Sequence, residues 1–201
     1  MFSRKIIKGR GPTRIFIGGV HGKEGLTTIN LIKMLKDDNV NDGSLLLYNC
    51  PESKYISTLD PDYYNSLMGR KILKLIKTYK PTIYVELHCY KPESYFKLVD
   101  CNRKQISGVP PLIELEEGVL ISSVAPYLRT EVFKRDDVCI TLEMPCKPTE
   151  KSTQIYLDVM KAIASSNNRK ELEDKLKINY ASQVKTAQRY AAEFFGEYPA
   201  F

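Results

Sequence analysis

Short apolar runs alternate with longer amphipathic segments along the first half of the chain. The apolar runs at residues 15–20, 45–48 and 82–88 are bounded by turn residues, which predicts three buried strands. Residues 23–36 and 61–79 carry apolar side chains at helical spacing and predict helices. Alternation of this kind is typical of a mainly parallel sheet that is flanked by helices.

The second half of the chain has shorter apolar runs, which are separated by proline-rich connections. Strands are expected at residues 95–99, 118–122 and 138–144, so the sheet is predicted to be mixed. Helices are expected at residues 149–165 and, as one or two pieces, at residues 169–195. The pattern therefore predicts an α/β fold with a helical C-terminal end.

Length and composition favour a single domain of this kind. The chain has 201 residues, of which 43% are hydrophobic and 27% are charged, and it contains no repeat or low-complexity linker. We expect residues 1–201 to form one domain, with a motif-bearing core at about 13–145 and a C-terminal helical segment at about 149–201. No apolar run approaches the roughly 20 residues that span a membrane. Because the basic N-terminus also lacks the apolar core of a secretory signal, a cytoplasmic protein is expected.

Charge and cysteine content argue against a nucleic-acid-binding protein and against a fold held by disulfides or by a four-cysteine zinc site. The chain has 30 Lys and Arg against 24 Asp and Glu, a net charge of +6, but the basic residues are interleaved with acidic ones as on solvated helix faces. The chain has five cysteines, an odd number, and no pair has C-x-x-C spacing. Because this pattern indicates neither a disulfide framework nor a four-thiolate zinc site, we expect reduced, mostly structural thiols. The expected partner is a small-molecule or peptide-like substrate rather than nucleic acid or a membrane.

The two histidines of the chain both follow predicted strands. His21 comes after Gly18 and Gly19, and Glu24 stands three residues further on, close enough along a helix for both side chains to reach one point. The carboxyl ends of parallel strands lie at one edge of a sheet, where ligands bind. We therefore predict that His21, Glu24 and His88 bind one zinc ion and leave a fourth position open, as catalytic zinc sites do. Such a site supports hydrolysis of an amide or ester near neutral pH.

Two further glutamates are predicted at the same edge of the sheet. Glu143 ends a predicted strand, where an ionised side chain is costly to bury unless it is paired or works at an open site. We expect Glu143 to be the general base and acid of the hydrolysis. Glu86 lies two residues before His88, on the same face of the strand, and is expected to orient that ligand.

These motifs resemble those of a known family. The segment GVHGKEG, at residues 19–25, resembles the G-x-H-G-x-E signature of the zinc carboxypeptidase superfamily, especially its succinylglutamate desuccinylase and aspartoacylase branch. Glu86-Leu87-His88 resembles the D-L-H of that branch, with Glu in place of Asp. Thr141-Leu142-Glu143 resembles the segment that bears its catalytic glutamate.

The resemblance covers residues 14–145 and carries several implications. It implies zinc bound by His21, Glu24 and His88, with Glu143 as general base and acid, on a mixed sheet between helices. It is also compatible with a small, uncharacterised archaeal family on this fold. The C-terminal quarter of the chain has no counterpart in the resemblance.

The carboxylate-binding part of the family pattern is missing. In the resembled branch, an N-P segment leads through an arginine to D-L-N-R, whose cations hold a substrate carboxylate. This chain has Asn49-Cys50-Pro51 and then Leu59-Asp60-Pro61-Asp62, without the Asn-Arg pair. Lys54 and Arg70 are the candidate substrate-binding residues, with Arg103 as a further alternative. A lysine is a poorer partner for a carboxylate than the fork of an arginine.

Three hypotheses from different classes follow from these residues. The first is a zinc-dependent amidohydrolase or carboxypeptidase-like deacylase that cleaves an N-acyl amino acid or peptide-like amide bond with Glu143 as base. The second is a catalytically degenerate metal- or ligand-binding protein on the same fold, as the missing Asn-Arg pair indicates. The third is a cysteine hydrolase that uses Cys89 or Cys146 with His88, although no base and orienting group surround either thiol. Glu24 alone would also suit the first turn of a helix, so the zinc hypothesis depends on the coincidence of all the ligands.

Overall fold

A seven-stranded sheet forms the centre of the computed structural model, which describes residues 1–201. Its strands are β1 Phe2–Ile7, β2 Thr13–Gly18, β3 Ser44–Asn49, β4 Ile83–Leu87, β5 Ile113–Glu116, β6 Val119–Ser123 and β7 Val138–Glu143. The order across the sheet is β1-β3-β2-β4-β7-β6-β5. The four strands β3, β2, β4 and β7 run parallel, whereas β1, β6 and β5 pair antiparallel with their neighbours. The prediction of a mixed, mainly parallel sheet is confirmed.

Helices cover both faces of the sheet, and together they make one α/β domain. The helices are α1 Gly25–Met34, α2 Leu67–Tyr79, α3 Tyr95–Val99, α4 Arg103–Ser107, α5 Glu150–Ala164 and α6 Arg169–Phe195. Apolar side chains of α1, α5 and α6 pack on one face, and those of α2 pack on the other. Since both faces are covered, the central strands read as continuous apolar runs in the sequence.

The long helix α6 packs on the same core as α5. Its residues Leu172 and Leu176 are buried there. Its backbone leaves helical geometry at Tyr180, so α6 consists of two helical pieces joined at a kink, one of the two arrangements that the sequence predicts. Arg169 at its start donates hydrogen bonds to the main-chain oxygen of Phe201, which holds the end of the chain against the domain. None of the helices is long and apolar enough to cross a membrane.

Residues 95–99, predicted to be a strand, form the short helix α3 instead. Tyr95, Leu98 and Val99 pack against a small apolar cluster around Leu120, while the two residues between them face solvent. This i, i+3, i+4 spacing is that of a helix face, and it outweighs the strand preference of aromatic and β-branched residues. The prediction of a strand here is therefore wrong.

Two edge strands, β1 and β5, are absent from the sequence prediction. Each pairs with a neighbour on one side only, so charged residues are tolerated along it and its apolar pattern is weak. The helix predicted at residues 61–79 divides into a 3-10 turn, Pro61–Asn65, and α2. Ser66 separates them because its side chain accepts a hydrogen bond from the main-chain nitrogen of Gly69 and caps α2.

Candidate metal centre

Two glycines determine the path that brings His21 and Glu24 to the end of the parallel strands. Gly19 has a left-handed φ of +69°. A side-chain carbon on either Gly19 or Gly25 would lie 1.7 Å from the main-chain oxygen of Cys50, so a larger residue at either position would displace the chain. The loop between the glycines is therefore held against the end of β3, and α1 begins directly after Glu24.

Asn49, the last residue of β3, fixes the start of α1. Its side-chain amide donates to the carbonyl of Gly25 at 3.0 Å, and its side-chain oxygen accepts from the hydroxyl of Thr28 at 2.7 Å. Both side chains are buried. The sequence does not predict this positioning role of Asn49. The one sign of it in the sequence is that a polar residue ends a predicted strand.

Glu24 lies between the two histidines. Its Oε1 is 3.5 Å from Nδ1 of His21, and its Oε2 is 3.1 Å from Nδ1 of His88. The two imidazole centroids are 5.1 Å apart, and the three candidate ligand atoms lie within 4.8 Å of one another. The structure thus brings together the three residues that the sequence predicts as zinc ligands, in a cluster that could bind a metal ion.

The chemistry of the donors fits a zinc ion. Two imidazole nitrogens and a carboxylate oxygen are among the ligands that zinc takes in open, catalytic sites. Nδ1 of His21 is buried without a hydrogen-bond partner, which is costly for a polar atom unless something satisfies it. A cation between the three side chains would satisfy this nitrogen and offset the negative charge of Glu24.

The protonation of the two histidines differs. Burial lowers the pKa of His21, although Glu24 opposes the effect, so the neutral ring that a metal requires is favoured. Burial also acts to lower the pKa of His88, but the carboxylates of Glu24 and Glu86 outweigh it and hold this pKa well above its ordinary value. A metal ion bound by His88 would therefore have to displace a proton from it.

Glu86 holds the far side of the His88 ring. Its Oε2 is 3.5 Å from Nε2 of His88, and its Oε1 accepts a hydrogen bond of 2.9 Å from the hydroxyl of Tyr84. All three side chains are buried. Carboxylates in this position fix the ring orientation of a metal-binding histidine. Glu86 lies against His88, and its role in orienting that ring for a metal stays a prediction. Tyr84 carries no signal in the sequence beyond alternation along β4.

Glu143 ends β7, which runs parallel beside β4. Its side chain lines the same cavity as His21 and His88. Burial raises the pKa of Glu143 to about 7, with His88 and Arg103 opposing the rise and Glu24 adding to it. A carboxyl group with a pKa near neutral is suited both to accept and to donate a proton.

A cavity of about 150 Å³ opens beside this cluster. Arg103 is the only arginine or lysine that lines it, and one of its terminal nitrogens donates to the carbonyl of Pro110 at 2.8 Å. Lys54 and Arg70, the predicted substrate-binding residues, are exposed and do not line the cavity, and Arg70 donates to the carbonyl of Asn65 instead. Their positions therefore give no support to that prediction, whereas the alternative, Arg103, does line the cavity.

Cys89 and Cys146 form a disulfide bond, which corrects the expectation of five reduced thiols. The two residues are 57 positions apart, and they meet because they follow the adjacent parallel strands β4 and β7. Spacing along the chain could not reveal this pairing. Neither sulfur is a free nucleophile, so the hypothesis of a cysteine hydrolase with His88 as its partner is wrong.

Two solved structures resemble the chain at low sequence identity. A succinylglutamate desuccinylase from Silicibacter sp. TM1040 matches 80% of this chain and 58% of its own at 15% identity, with a TM-score of 0.45. An aspartoacylase family protein from Mesorhizobium loti matches 87% of this chain and 54% of its own at 17% identity, with a TM-score of 0.41. The chain thus spans little more than half the length of these two solved structures, and similarity at this level assigns no activity.

The similarity in sequence is much stronger. The uncharacterized protein MJ0501 of Methanocaldococcus jannaschii is 39% identical over 192 residues, which are 93% of each chain. A family model described as an uncharacterized protein conserved in archaea matches residues 9–196, nearly the whole chain and its candidate metal centre. The chain therefore belongs to this family of uncharacterized proteins conserved in archaea, DUF2119.

Proposed function

We propose that the protein is a zinc-dependent hydrolase that cleaves the amide bond of a small N-acyl amino acid or peptide-like substrate. The observation that carries the proposal is the shared cavity, which is lined by two of the three candidate ligands and by Glu143. A cluster that only bound metal for stability would not need an open cavity or a carboxyl group with a pKa near 7 beside it. The resemblance of GVHGKEG to the zinc carboxypeptidase signature supports the same function.

The candidate ligands and the two glutamates near them have distinct parts in this mechanism. Zinc held by His21, Glu24 and His88 would lower the pKa of a bound water to about 7 and polarise the substrate carbonyl. Glu143 accepts the proton of the attacking water and returns it to the amine that leaves. Glu86 keeps the ring of His88 in position through both proton transfers.

Arg103 orients the substrate in this proposal. Burial lowers the pKa of its guanidinium, and the charge of Glu143 opposes that change, but an arginine stays protonated in a protein. One terminal nitrogen is committed to Pro110, which leaves further donors for an anionic group of the substrate. An amino-acid carboxylate bound there lies in the same cavity as Glu143, where its neighbouring amide bond meets the reacting groups.

Glu143→Gln tests the catalytic assignment. We expect the variant to bind zinc with unchanged stoichiometry and to lose hydrolysis by about 10²- to 10⁴-fold, the usual contribution of a general base. Glu52→Gln is the matched control, because Glu52 is exposed and does not line the cavity. Hydrolysis of N-acyl amino acids at the wild-type rate by Glu143→Gln would remove Glu143 from the mechanism.

One observation favours the second candidate, a metal- or ligand-binding protein without turnover. The Asn-Arg pair of the resembled branch is absent, and Lys54 and Arg70 do not reach the cavity. Arg103 alone then has to position the substrate. A screen of N-acyl amino acids and short peptides with the zinc-loaded protein separates the two candidates, since any zinc-dependent turnover excludes the second.

A further inference from the structure

A second cavity, of about 360 Å³, adjoins the one that contains the reacting groups. Four residues line both cavities, namely Thr58, Leu59, Val109 and Ala125. The shared residues show that the two cavities are neighbouring parts of one region of the protein. We call the second part the tyrosine subsite, because Tyr64 and Tyr127 line it.

The first cavity alone has room for only a small part of a substrate. A cavity of about 150 Å³ in another protein holds a molecule the size of benzene. The first cavity of about 150 Å³ therefore accommodates an amide group and an amino-acid carboxylate near Arg103, and little more. If the proposed function is correct, the acyl group of a larger substrate has to extend past these four shared residues towards the tyrosine subsite.

The walls of the tyrosine subsite differ in charge from those of the first cavity. No lysine, arginine or histidine lines it, and Asp60 is its one carboxylate. The carboxylate of Asp60 accepts a hydrogen bond of 2.9 Å from the main-chain nitrogen of Asp62, which holds it at the turn. A second carboxylate on the acyl group would find no cation here and would be repelled by Asp60.

The aromatic rings give the subsite a preference for flat apolar groups. The rings of Tyr64 and Tyr127 are in tilted contact, with centroids 4.5 Å apart and an interplanar angle of 39°. Tyr127 remains 46% exposed, so part of its ring is free to contact a ligand. Leu59, Pro61 and Pro126 complete an apolar wall beside the rings. An aromatic group that entered would contact these apolar and aromatic side chains.

We propose that the tyrosine subsite binds an uncharged aromatic or bulky apolar acyl group, while Arg103 holds the carboxylate of the same substrate. This inference rests on the proposed function and names its substrate class, which is N-aroyl amino acids and their apolar analogues. Substrates with a short acyl group or with a carboxylate on the acyl group bind more weakly.

Binding of three probes tests the subsite separately from turnover. N-benzoylglycine, N-acetylglycine and N-succinylglycine share a carboxylate and an amide and differ only in the acyl group. Calorimetric titrations use the metal-free wild type and the zinc-loaded Glu143→Gln protein. We expect N-benzoylglycine to bind at least about tenfold more tightly than N-acetylglycine, since filling an apolar pocket has an effect of this order. N-succinylglycine should bind no more tightly than N-acetylglycine.

Variants of the subsite provide the second half of the test. Tyr127→Ala should weaken binding of N-benzoylglycine by about threefold to tenfold, as expected for loss of one aromatic contact, and leave N-acetylglycine unchanged. Ser107→Trp, at an exposed position that lines the subsite, should have the same effect by filling it. Phe96→Ala is the control, because Phe96 is 78% exposed and lines neither cavity.

The outcomes distinguish this inference from the proposed function. Equal binding of the benzoyl and acetyl probes, preferred binding of the succinyl probe, or unchanged binding by both subsite variants would overturn the tyrosine subsite. A benzoyl preference that disappears in Tyr127→Ala, together with no hydrolysis of any probe by the zinc-loaded wild type, would support the subsite and count against the hydrolase.

Discussion

Replacing Glu143 with glutamine should stabilise the metal-free protein at pH 8, although it removes the proposed catalytic base. Burial raises the pKa of Glu143 from 4.5 to about 7, so the ionised carboxylate is less favourable in the folded chain than in the unfolded one. A rise of this size corresponds to about 3 kcal/mol at a pH well above 7. Because the side chain faces an open cavity and is half-buried, we expect solvent screening to reduce this to about 1–2 kcal/mol.

The sign of the pH dependence follows from proton binding. Between pH 4.5 and about 7 the folded protein holds the Glu143 proton more tightly than the unfolded chain does, so the free energy of unfolding falls as the pH rises through this window. Because glutamine does not titrate, the free energy of unfolding of Glu143→Gln does not fall in this way. The advantage of Glu143→Gln over the wild type should therefore be largest above pH 7 and should mostly disappear by pH 5.

Urea unfolding followed by circular dichroism measures this difference directly. The titrations are run at pH 5, 6, 7 and 8 with a chelator present, so that no metal alters the charge of the site. Glu52→Gln, with its exposed side chain, should match the wild type at every pH. Two results would refute the raised pKa of Glu143. One is a Glu143→Gln protein that is less stable than the wild type at pH 8, and the other is a difference in the free energy of unfolding that is the same at all four pH values.

Further predictions concern the surroundings of the centre. Tyr84→Phe removes the hydrogen bond that holds the carboxylate behind His88, and should weaken zinc binding by about tenfold to a hundredfold in a chelator competition assay; unchanged affinity would show that this contact does not act on the metal. Zinc affinity should fall about tenfold for each unit of pH from 8 to 6, because His88 has to release a proton; a flat profile would contradict its raised pKa. Replacing Cys89 and Cys146 with serine should lower the free energy of unfolding by about 4 kcal/mol, the loop-closure effect for a 57-residue separation, whereas Cys101→Ser should change it little; equal stability would mean that the disulfide does not form in solution.

The central part of the fold is readable from the sequence because its periodicities are strong. The buried strands β2, β3 and β4 are continuous apolar runs, and α1 and α2 carry apolar stripes, so their types and approximate positions follow from pattern alone. The edge strands β1 and β5 lack such patterns because one side of each is open. The helix α3 is missed because its five residues are too few to show a period, and only its contacts with the cluster around Leu120 determine its form.

The candidate site divides in the same way. His21, Glu24, His88 and Glu143 follow from strand ends, since parallel strands deliver their next residues to one edge. Arg103 lies on a short helix between β4 and β5, and no spacing rule predicts that it turns towards the cavity. The disulfide, the orienting hydrogen bond of Tyr84 and the tyrosine subsite likewise depend on long-range packing, which a single sequence does not specify.

Metal analysis shows whether His21, Glu24 and His88 converge on one ion. The wild type and the variants His21→Ala and His88→Ala are purified without chelator, loaded with zinc, desalted and measured by inductively coupled plasma mass spectrometry. We expect about one zinc per wild-type chain and a large loss of zinc in both variants, with all three proteins folded by circular dichroism. Zinc retained equally by folded His21→Ala, His88→Ala and wild-type protein, or no zinc bound by the wild type, would contradict this convergence.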